Sequence, residues 1–203
     1  MFKYFFYKIA QTIAVFFPLD VAYKIAVFLS DVQYFFSPRD RKAVRNNLKK
    51  ILKSEDDLNS KTKEVFRNFG KYFVEFLRME QMVNKDFIAK KVEVENIESI
   101  KQALEKGKGA IILTAHMGNW ELGAVLISLL GDPLTAVALS HKERPVNNLF
   151  NHQREIYGIT VVPTKNAVRK CLENLRNNKL TALVGDRDFG NNGEAIDFLG
   201  HKT

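Results

Sequence analysis

Residues 109–123 read Gly-Ala-Ile-Ile-Leu-Thr-Ala-His-Met-Gly-Asn-Trp-Glu-Leu-Gly, and this stretch decides the fold class. Its first part, 110–115, is a short apolar run rich in β-branched residues, which is typical of a central strand in a parallel sheet. A polar corner follows, and then apolar residues resume. The stretch therefore predicts a strand, a tight turn and a helix. On one continuous helix His116 and Glu121 would point about 140° apart, so the helix is expected to begin between them, with Asn119 as its N-cap.

The polar corner carries an imidazole and a carboxylate, His116 and Glu121, at the carboxyl end of the strand, where open α/β sheets bind their ligands. A carboxylate that holds one ring nitrogen leaves the other able to take a proton from a hydroxyl nucleophile. Gly118 allows backbone N–H groups to approach a developing oxyanion, and the start of the helix adds partial positive charge. The corner thus predicts a catalytic His–Glu dyad, although a bare His-x4-Glu pattern also occurs at solvated strand ends.

Strand-like and helix-like segments alternate after residue 92. This alternation predicts an α/β fold with a mainly parallel central sheet flanked by helices and right-handed connections. Besides 110–115, the expected strands are 92–96 at an edge, 134–139, 159–162 and 180–184. The expected helices are 39–53, 58–83, 97–105, 120–130, 146–157 and 166–177.

The N-terminal region is both aromatic and basic. Twelve of the 23 aromatic residues lie within the first 36, and residues 1–50 carry nine Lys and Arg against three Asp. The longest uncharged run, 9–19, is shorter than the roughly 20 residues that cross a bilayer. We therefore expect 1–53 to be a helical, membrane-associating region before an α/β domain at 54–203, with burial of its aromatic helices in the core as the alternative. The combination favours an anionic lipid surface over nucleic acid.

Other polar residues are expected at the carboxyl edge of the sheet. His141 competes with His116 for the role of catalytic base, but it lacks a carboxylate at a comparable spacing. Asp186 and Asp188 follow the strand at 180–184, and alone they could hold the divalent metal of a nucleotide-sugar transferase. Cys171 is the single cysteine, which excludes an internal disulfide and a cysteine-based zinc cluster.

The segment His116-Met-Gly-Asn-Trp-Glu121 resembles the His-x4-Asp/Glu motif of the lysophospholipid acyltransferase superfamily. Its Glu ending and its Gly-Asn-Trp filling resemble the branch of the lipid A late acyltransferases (lauroyl and myristoyl acyltransferases) and the mannoside acyltransferases. Arg45-Asn46-Asn47-Leu48 and Asp186-Arg187-Asp188 extend the likeness along the chain. The resemblance implies an O-acyltransferase that needs no cofactor and no metal.

The resemblance also implies partners and a location. The expected reaction moves a fatty acyl chain from acyl carrier protein to a hydroxyl of a phosphoglycolipid of the lipid A precursor type, at the cytoplasmic face of a bacterial inner membrane. The formal charge of +8 suits an acidic carrier protein, and the absence of Gly-x-Ser-x-Gly argues against a serine acyl-enzyme. Members of this branch continue past the segment 198–201, so we expect the chain to be C-terminally incomplete.

Site roles follow from the resemblance as well. His116 would be the base, Glu121 would orient it, and the backbone near Gly118 and Asn119 would face the substrate. The polar substrate site would be lined by Arg144, Arg154, Asp186 and Asp188. Two alternatives stay open, a metal-dependent glycosyltransferase using Asp186 and Asp188, and a non-catalytic membrane-binding protein that acts through 1–53.

Overall fold

The computed structural model describes residues 2–52, 56–131, 133–187 and 194–202. Within those ranges the helices are α1 Phe2–Phe16, α2 Leu19–Phe36, α3 Pro38–Ile51, α4 Leu58–Leu77, α5 Met79–Met82, α6 Lys85–Lys91, α7 Glu98–Glu105, α8 Trp120–Leu129, α9 Arg144–Glu155 and α10 Ala167–Arg176. The strands are β1 Ala110–Thr114, β2 Leu134–Ala138, β3 Thr160–Pro163, β4 Leu180–Val184, β5 Asp197–Phe198 and β6 His201–Lys202.

Four of these strands form one parallel sheet in the order β1-β4-β2-β3. The α/β fold with a parallel sheet flanked by helices is therefore confirmed. β4, the last of the four along the chain, lies between β1 and β2. This insertion places the ends of β1 and β4 side by side, which determines the site described below.

The prediction that β1 is a central strand was wrong, because β1 lies at an edge of the sheet. The exposure of its side chains agrees with an edge position, since Ile111 is 49% exposed and Leu113 is 72% exposed. An apolar, β-branched run indicates only that a segment favours extended backbone. It does not indicate whether one or two other strands will pair with it.

Two local predictions also differ from the structure. Residues 92–96 are not a strand, because no strand in the described part of the chain pairs with them. The helix expected over 58–83 ends at Leu77 and is followed by the separate short helix α5. Helix α6, which the sequence analysis did not predict, is capped by Asn84, whose side chain accepts a hydrogen bond from the Phe87 N–H at 2.9 Å.

The chain forms two compact units. The first comprises Met1–Gln11 and Phe76–Arg187 and contains the parallel sheet. Its core includes Phe76, Met79 and Val125, each fully buried, and the Tyr157 hydroxyl donates to the Met79 carbonyl at 2.9 Å. The domain boundary expected at residue 53 stays a prediction.

The second unit comprises Thr12–Glu75 and Asp188–Thr203. Helices α2 and α4 cross closely within it, since a Cβ on Gly70 would overlap the buried Ser30 hydroxyl. Arg67 of α4 donates two hydrogen bonds of 2.7 Å to the carboxylate of Asp31 of α2. Across the described ranges, no helix combines the length and apolar character needed to cross a membrane.

Candidate active site

The register of the sheet brings His116 and Asp186 together. Thr114 and Val184 are opposite each other at the ends of β1 and β4. The pairing continues for one more step, because the Gly185 N–H donates to the Thr114 carbonyl at 2.9 Å. His116 and Asp186 each follow two residues after these paired ends, so they meet at the carboxyl edge of the sheet although they are 70 residues apart in sequence.

Asp186 holds His116 through both of its carboxylate oxygens. Oδ1 lies 2.7 Å from the imidazole Nδ1, and Oδ2 accepts the His116 backbone N–H at 3.0 Å. Partial burial tends to raise the pKa of Asp186, but the hydrogen bonds from His116 outweigh it and lower that pKa below its ordinary value. Asp186 is therefore ionised at neutral pH and can only accept hydrogen bonds. Nδ1 of the neutral ring therefore carries the proton, and its Nε2 is left as a hydrogen-bond acceptor.

The corner between β1 and α8 supports this ring. Trp120, the first residue of α8, packs edge-on against the imidazole with ring centroids 4.7 Å apart. Gly118 adopts a left-handed backbone with φ of 57°, and a Cβ there would meet nothing within 4 Å, so the space beside it is open. Asn119 accepts the Leu122 N–H at 3.0 Å. The predicted helix start and N-cap are thus confirmed.

The expected contact between Glu121 and His116 is not formed, and this part of the prediction was wrong. Glu121 instead binds Arg154 of α9 bidentately, with N–O distances of 2.8 Å and 2.5 Å. Both side chains are largely buried, at 10% and 13% exposure. A guanidinium fork satisfies both oxygens of a buried carboxylate with full opposite charge, which a neutral imidazole cannot do.

His141, the competing imidazole, lies near Arg154 but has different surroundings from His116. Its ring packs on Phe150 with centroids 4.3 Å apart. Burial lowers the pKa of His141, and the charges of Arg154 and Lys3 lower it further. No carboxylate among the described residues binds this ring, so nothing there fixes its tautomer.

Arg144, the first residue of α9, is exposed. It lines an open cavity of about 620 Å³ together with Tyr4, His152 and Glu155. The cavity lining does not include His116 or Asp186. The structure therefore does not unite Arg144 with the His116 corner, and Asp188 lies outside the described residues.

Sequence reasoning placed Asp186 at the correct edge but did not pair it with His116. The missing information was the strand order, since only adjacency of β1 and β4 makes the two residues neighbours. It also assigned no role to Trp120. Its position four residues after His116, at the start of the next helix, was a usable signal for a ring contact.

Comparisons with known proteins relate the chain to bacterial acyltransferases. Residues 1–203 match the model of a family described as bacterial lipid A biosynthesis acyltransferases. The chain is 28% identical to a phosphatidylinositol mannoside acyltransferase of Mycolicibacterium smegmatis over 67% of this chain and 46% of that protein. It is also 28% identical to the enzyme of that name from Mycobacterium tuberculosis strain H37Rv, over 67% and 45%.

A lipid A biosynthesis acyltransferase of Haemophilus influenzae is 25% identical over 58% of this chain and 37% of that protein. The chain spans about half the length of the curated relatives that it matches.

Proposed function

We propose that this chain, which belongs to the bacterial lipid A biosynthesis acyltransferase family, transfers a fatty acyl chain from a thioester donor to a hydroxyl of an anionic glycolipid. One observation carries the proposal. A histidine at the carboxyl edge of the sheet has its Nδ1 bound by a carboxylate at 2.7 Å, and no described residue bonds its Nε2. An imidazole arranged in this way is a general base that awaits a proton from the substrate.

The proposed reaction is direct transfer. Nε2 of His116 takes the proton of the acceptor hydroxyl as its oxygen attacks the thioester carbonyl. The tetrahedral intermediate carries its negative charge on the former carbonyl oxygen, next to the open corner at Gly118 and the start of α8, where partial positive charge favours an anion. The C–S bond then breaks, and the departing thiolate takes the proton back from the imidazolium. An ester and a free thiol result, and the histidine returns to its starting state.

The acceptor is proposed from the chemistry of the side chains and from the names of the relatives. Those relatives are named for phosphatidylinositol mannoside and for lipid A biosynthesis, and both names indicate a sugar-bearing, anionic lipid. Arg154 is the proposed contact for its polar head, since guanidinium groups bind phosphate oxygens bidentately. Two N–H groups of Arg154 bind Glu121, which fixes the orientation of the guanidinium.

The proposed donor is an acyl thioester of acyl carrier protein. The net charge of +8 favours encounter with an acidic partner. The proposed place of the reaction is the cytoplasmic face of a bacterial inner membrane.

Helix α2 supports attachment to a membrane surface. Its large exposed apolar side chains fall, by helical spacing, within an arc of about 120°. They are Val21, Phe28, Leu29, Val32, Phe35 and Phe36, between 38% and 75% exposed. The next helix, α3, exposes Arg39, Lys42, Lys49 and Lys50. An apolar stripe beside basic side chains is the composition of an element that lies in the interface of an anionic bilayer.

Vesicle flotation tests this surface. The triple variant F28E/F35E/F36E should bind vesicles containing phosphatidylglycerol at least about tenfold more weakly, because each change puts a charge where acyl chains would lie. The control is V168E/L172E, which makes the same type of change at exposed apolar positions of α10. Equal vesicle binding by the triple variant and the wild type would refute the proposal that α2 attaches the protein to a membrane.

Acyl transfer is tested with the full-length protein, acyl carrier protein thioester and a glycolipid acceptor. His116→Ala should lower kcat by about 10² to 10⁴, the usual contribution of a general base. His201→Ala, at an exposed histidine of β6, is the matched control. Acyl transfer that survives His116→Ala would refute the mechanism, whereas sugar transfer that requires a divalent ion and is unaffected by His116→Ala would support a glycosyltransferase built on Asp186 and Asp188.

A further inference from the structure

We propose that the outer face of α10 is the docking surface for the acidic carrier protein that delivers the acyl chain. This inference rests on the proposed function, which names acyl carrier protein as the donor but assigns no part of the chain to its recognition. The surface, termed the α10 face, consists of Lys165, Val168, Arg169, Leu172 and Arg176.

Positive charge is concentrated around this helix. Residues 164–179 carry five Lys and Arg against one Glu. That residue, Glu173, accepts a hydrogen bond from Lys170 at 2.7 Å, which lowers the pKa of its carboxyl, and the charges of Arg169 and Lys179 lower it further. The single carboxylate is thus paired within its own helix, and the surplus of positive charge faces the solvent.

The contacts of α10 with β4 fix which side of the helix is turned outward. Asn174 is buried, and its Nδ2 donates to Oγ1 of Thr181 at 3.3 Å. At about 100° per residue, Val168, Leu172 and Arg176 lie within an arc of about 80° on the side opposite Asn174. These three side chains therefore point away from the sheet.

The α10 face combines an apolar centre with flanking cations. Val168 is 77% exposed and Leu172 is 49% exposed, so the described part of the chain leaves much of both side chains uncovered. Arg169 and Arg176 are exposed as well. In protein interfaces, apolar side chains occupy the centre, arginine is enriched and polar groups form the rim. The α10 face has this arrangement.

The composition of the face favours an acidic protein over a membrane. Complementary charge speeds the encounter of two proteins and fixes their register. Elements that lie in a membrane interface insert aromatic and large apolar side chains, and residues 164–179 contain no aromatic residue, whereas the exposed stripe of α2 contains Phe28, Phe35 and Phe36. The two surfaces therefore suit two different partners, a carrier protein at α10 and a lipid surface at α2.

The path of the chain places the start of α10 at the edge of the sheet that holds His116. The chain leaves the carboxyl end of β3, forms α10 and enters the amino end of β4, and β3, β2 and β4 are parallel. A helix that connects two parallel strands runs back across the sheet, so its first turn lies at the carboxyl edge. A carrier protein docked on Lys165, Val168 and Arg169 is therefore at the edge where the proposed base lies.

The test compares two thioester donors on the full-length protein. The charge-reversal variant R169E/R176E should raise KM for acyl carrier protein thioester at least about tenfold, because like charges would then meet across the interface, with kcat within about threefold. Acyl-pantetheine presents the same thioester without the protein, so KM for this donor should not change. Fluorescence anisotropy of labelled acyl carrier protein measures binding independently of turnover, and its Kd should rise by at least the same factor.

Two further variants serve as controls. K106E/K108E makes the same change of net charge at exposed lysines that precede β1, at the amino edge of the sheet, and it should keep the wild-type Kd for acyl carrier protein within about threefold. V168E/L172E should weaken binding of the carrier protein at least about tenfold while vesicle binding is unchanged. Circular dichroism in urea checks that each variant has the wild-type midpoint.

The outcomes separate docking from the proposed reaction. If R169E/R176E binds acyl carrier protein as the wild type does, or if K106E/K108E weakens binding equally, the docking surface is overturned while transfer that depends on His116 stands. If His116→Ala retains full transfer but binding still requires Arg169 and Arg176, the mechanism fails and the docking surface stands. Loss of vesicle binding in R169E/R176E, or loss of a dimer seen by light scattering, would overturn the proposal in favour of a membrane or a second copy.

Discussion

Arg154 binds both carboxylate oxygens of Glu121 in a largely buried pair that joins the first turn of α8 to the last turn of α9. The pair links the two helices that flank the site, so its first effect is on stability. Glu121→Gln and Arg154→Met should each lower the free energy of unfolding by about 3–5 kcal/mol, because each leaves a buried charge without its partner. Urea denaturation followed by circular dichroism measures this loss.

The double variant E121Q/R154M provides the check on that prediction. It removes both charges, so it should be more stable than the sum of the two single losses implies. An exposed pair, Lys170 and Glu173 of α10, is the control, and Glu173→Gln should leave the urea midpoint unchanged. Additive losses in the double variant would contradict a coupled pair.

Acid should weaken the contact between α2 and α4. The hydrogen bond from Arg67, with a further contribution from Lys63, lowers the pKa of Asp31 from 3.8 to about 2. A depressed aspartate pKa stabilises the fold fully above the unfolded value, and the contribution is lost as pH falls from about 4 to about 2. Asp31→Asn should therefore flatten the pH dependence of the urea midpoint in this window.

Arg67→Met should flatten most of the same window, since the guanidinium makes the largest contribution to the lowered pKa of Asp31. A slope that survives in both variants would show that other carboxylates cause it. The comparison needs no activity assay.

Gly109, which directly precedes β1, should resist substitution more than its neighbour Gly107. Both have a left-handed backbone, with φ of 66° and 67°. A Cβ at Gly109 would lie 2.8 Å from the Lys179 carbonyl oxygen, whereas a Cβ at Gly107 would meet nothing within 4 Å. Gly107→Ala should cost about 1–2 kcal/mol from backbone strain alone, and Gly109→Ala should cost about 1–3 kcal/mol more because of the overlap. Equal losses in thermal unfolding would contradict the close approach.

His141 should not serve as the base. Its ring rests on Phe150 and lacks a carboxylate among the described residues, so His141→Gln should change kcat by less than about threefold, against the loss of about 10² or more expected for His116→Ala. The same transfer assay measures both. If His141→Gln lowered kcat as much as His116→Ala does, His141, in the loop after β2, would be a candidate base as well.

The four strands of the parallel sheet were predictable because each is a short apolar run with clear polar or glycine boundaries. The prediction for β4 has the same bounds as the structure, and those for β1, β2 and β3 differ by one residue at one or both ends. Strand order was not predictable, since local composition does not determine which strands become neighbours. The edge position of β1 and the contact between His116 and Asp186 both follow from that order.

The candidate site was predictable in its residues and less so in its pairing. His116, Gly118, Asn119 and Glu121 come from one continuous motif, so the corner could be read from sequence alone. The partner of Glu121 lies on α9, 33 residues away, and only packing of α9 beside α8 makes Arg154 its neighbour. A motif reports which groups are close along the chain, and the fold decides which of them touch.

The insertion of β4 between β1 and β2 has a consequence for biosynthesis. A ribosome that has released β1, α8, β2 and β3 has exposed His116 but not its partner, and the gap beside β1 can be filled only after residues 180–186 have emerged. The contact between His116 and Asp186 therefore cannot form until β4 has emerged and paired with β1. Until then the growing polypeptide presents an unpartnered strand edge, a natural target for a chaperone.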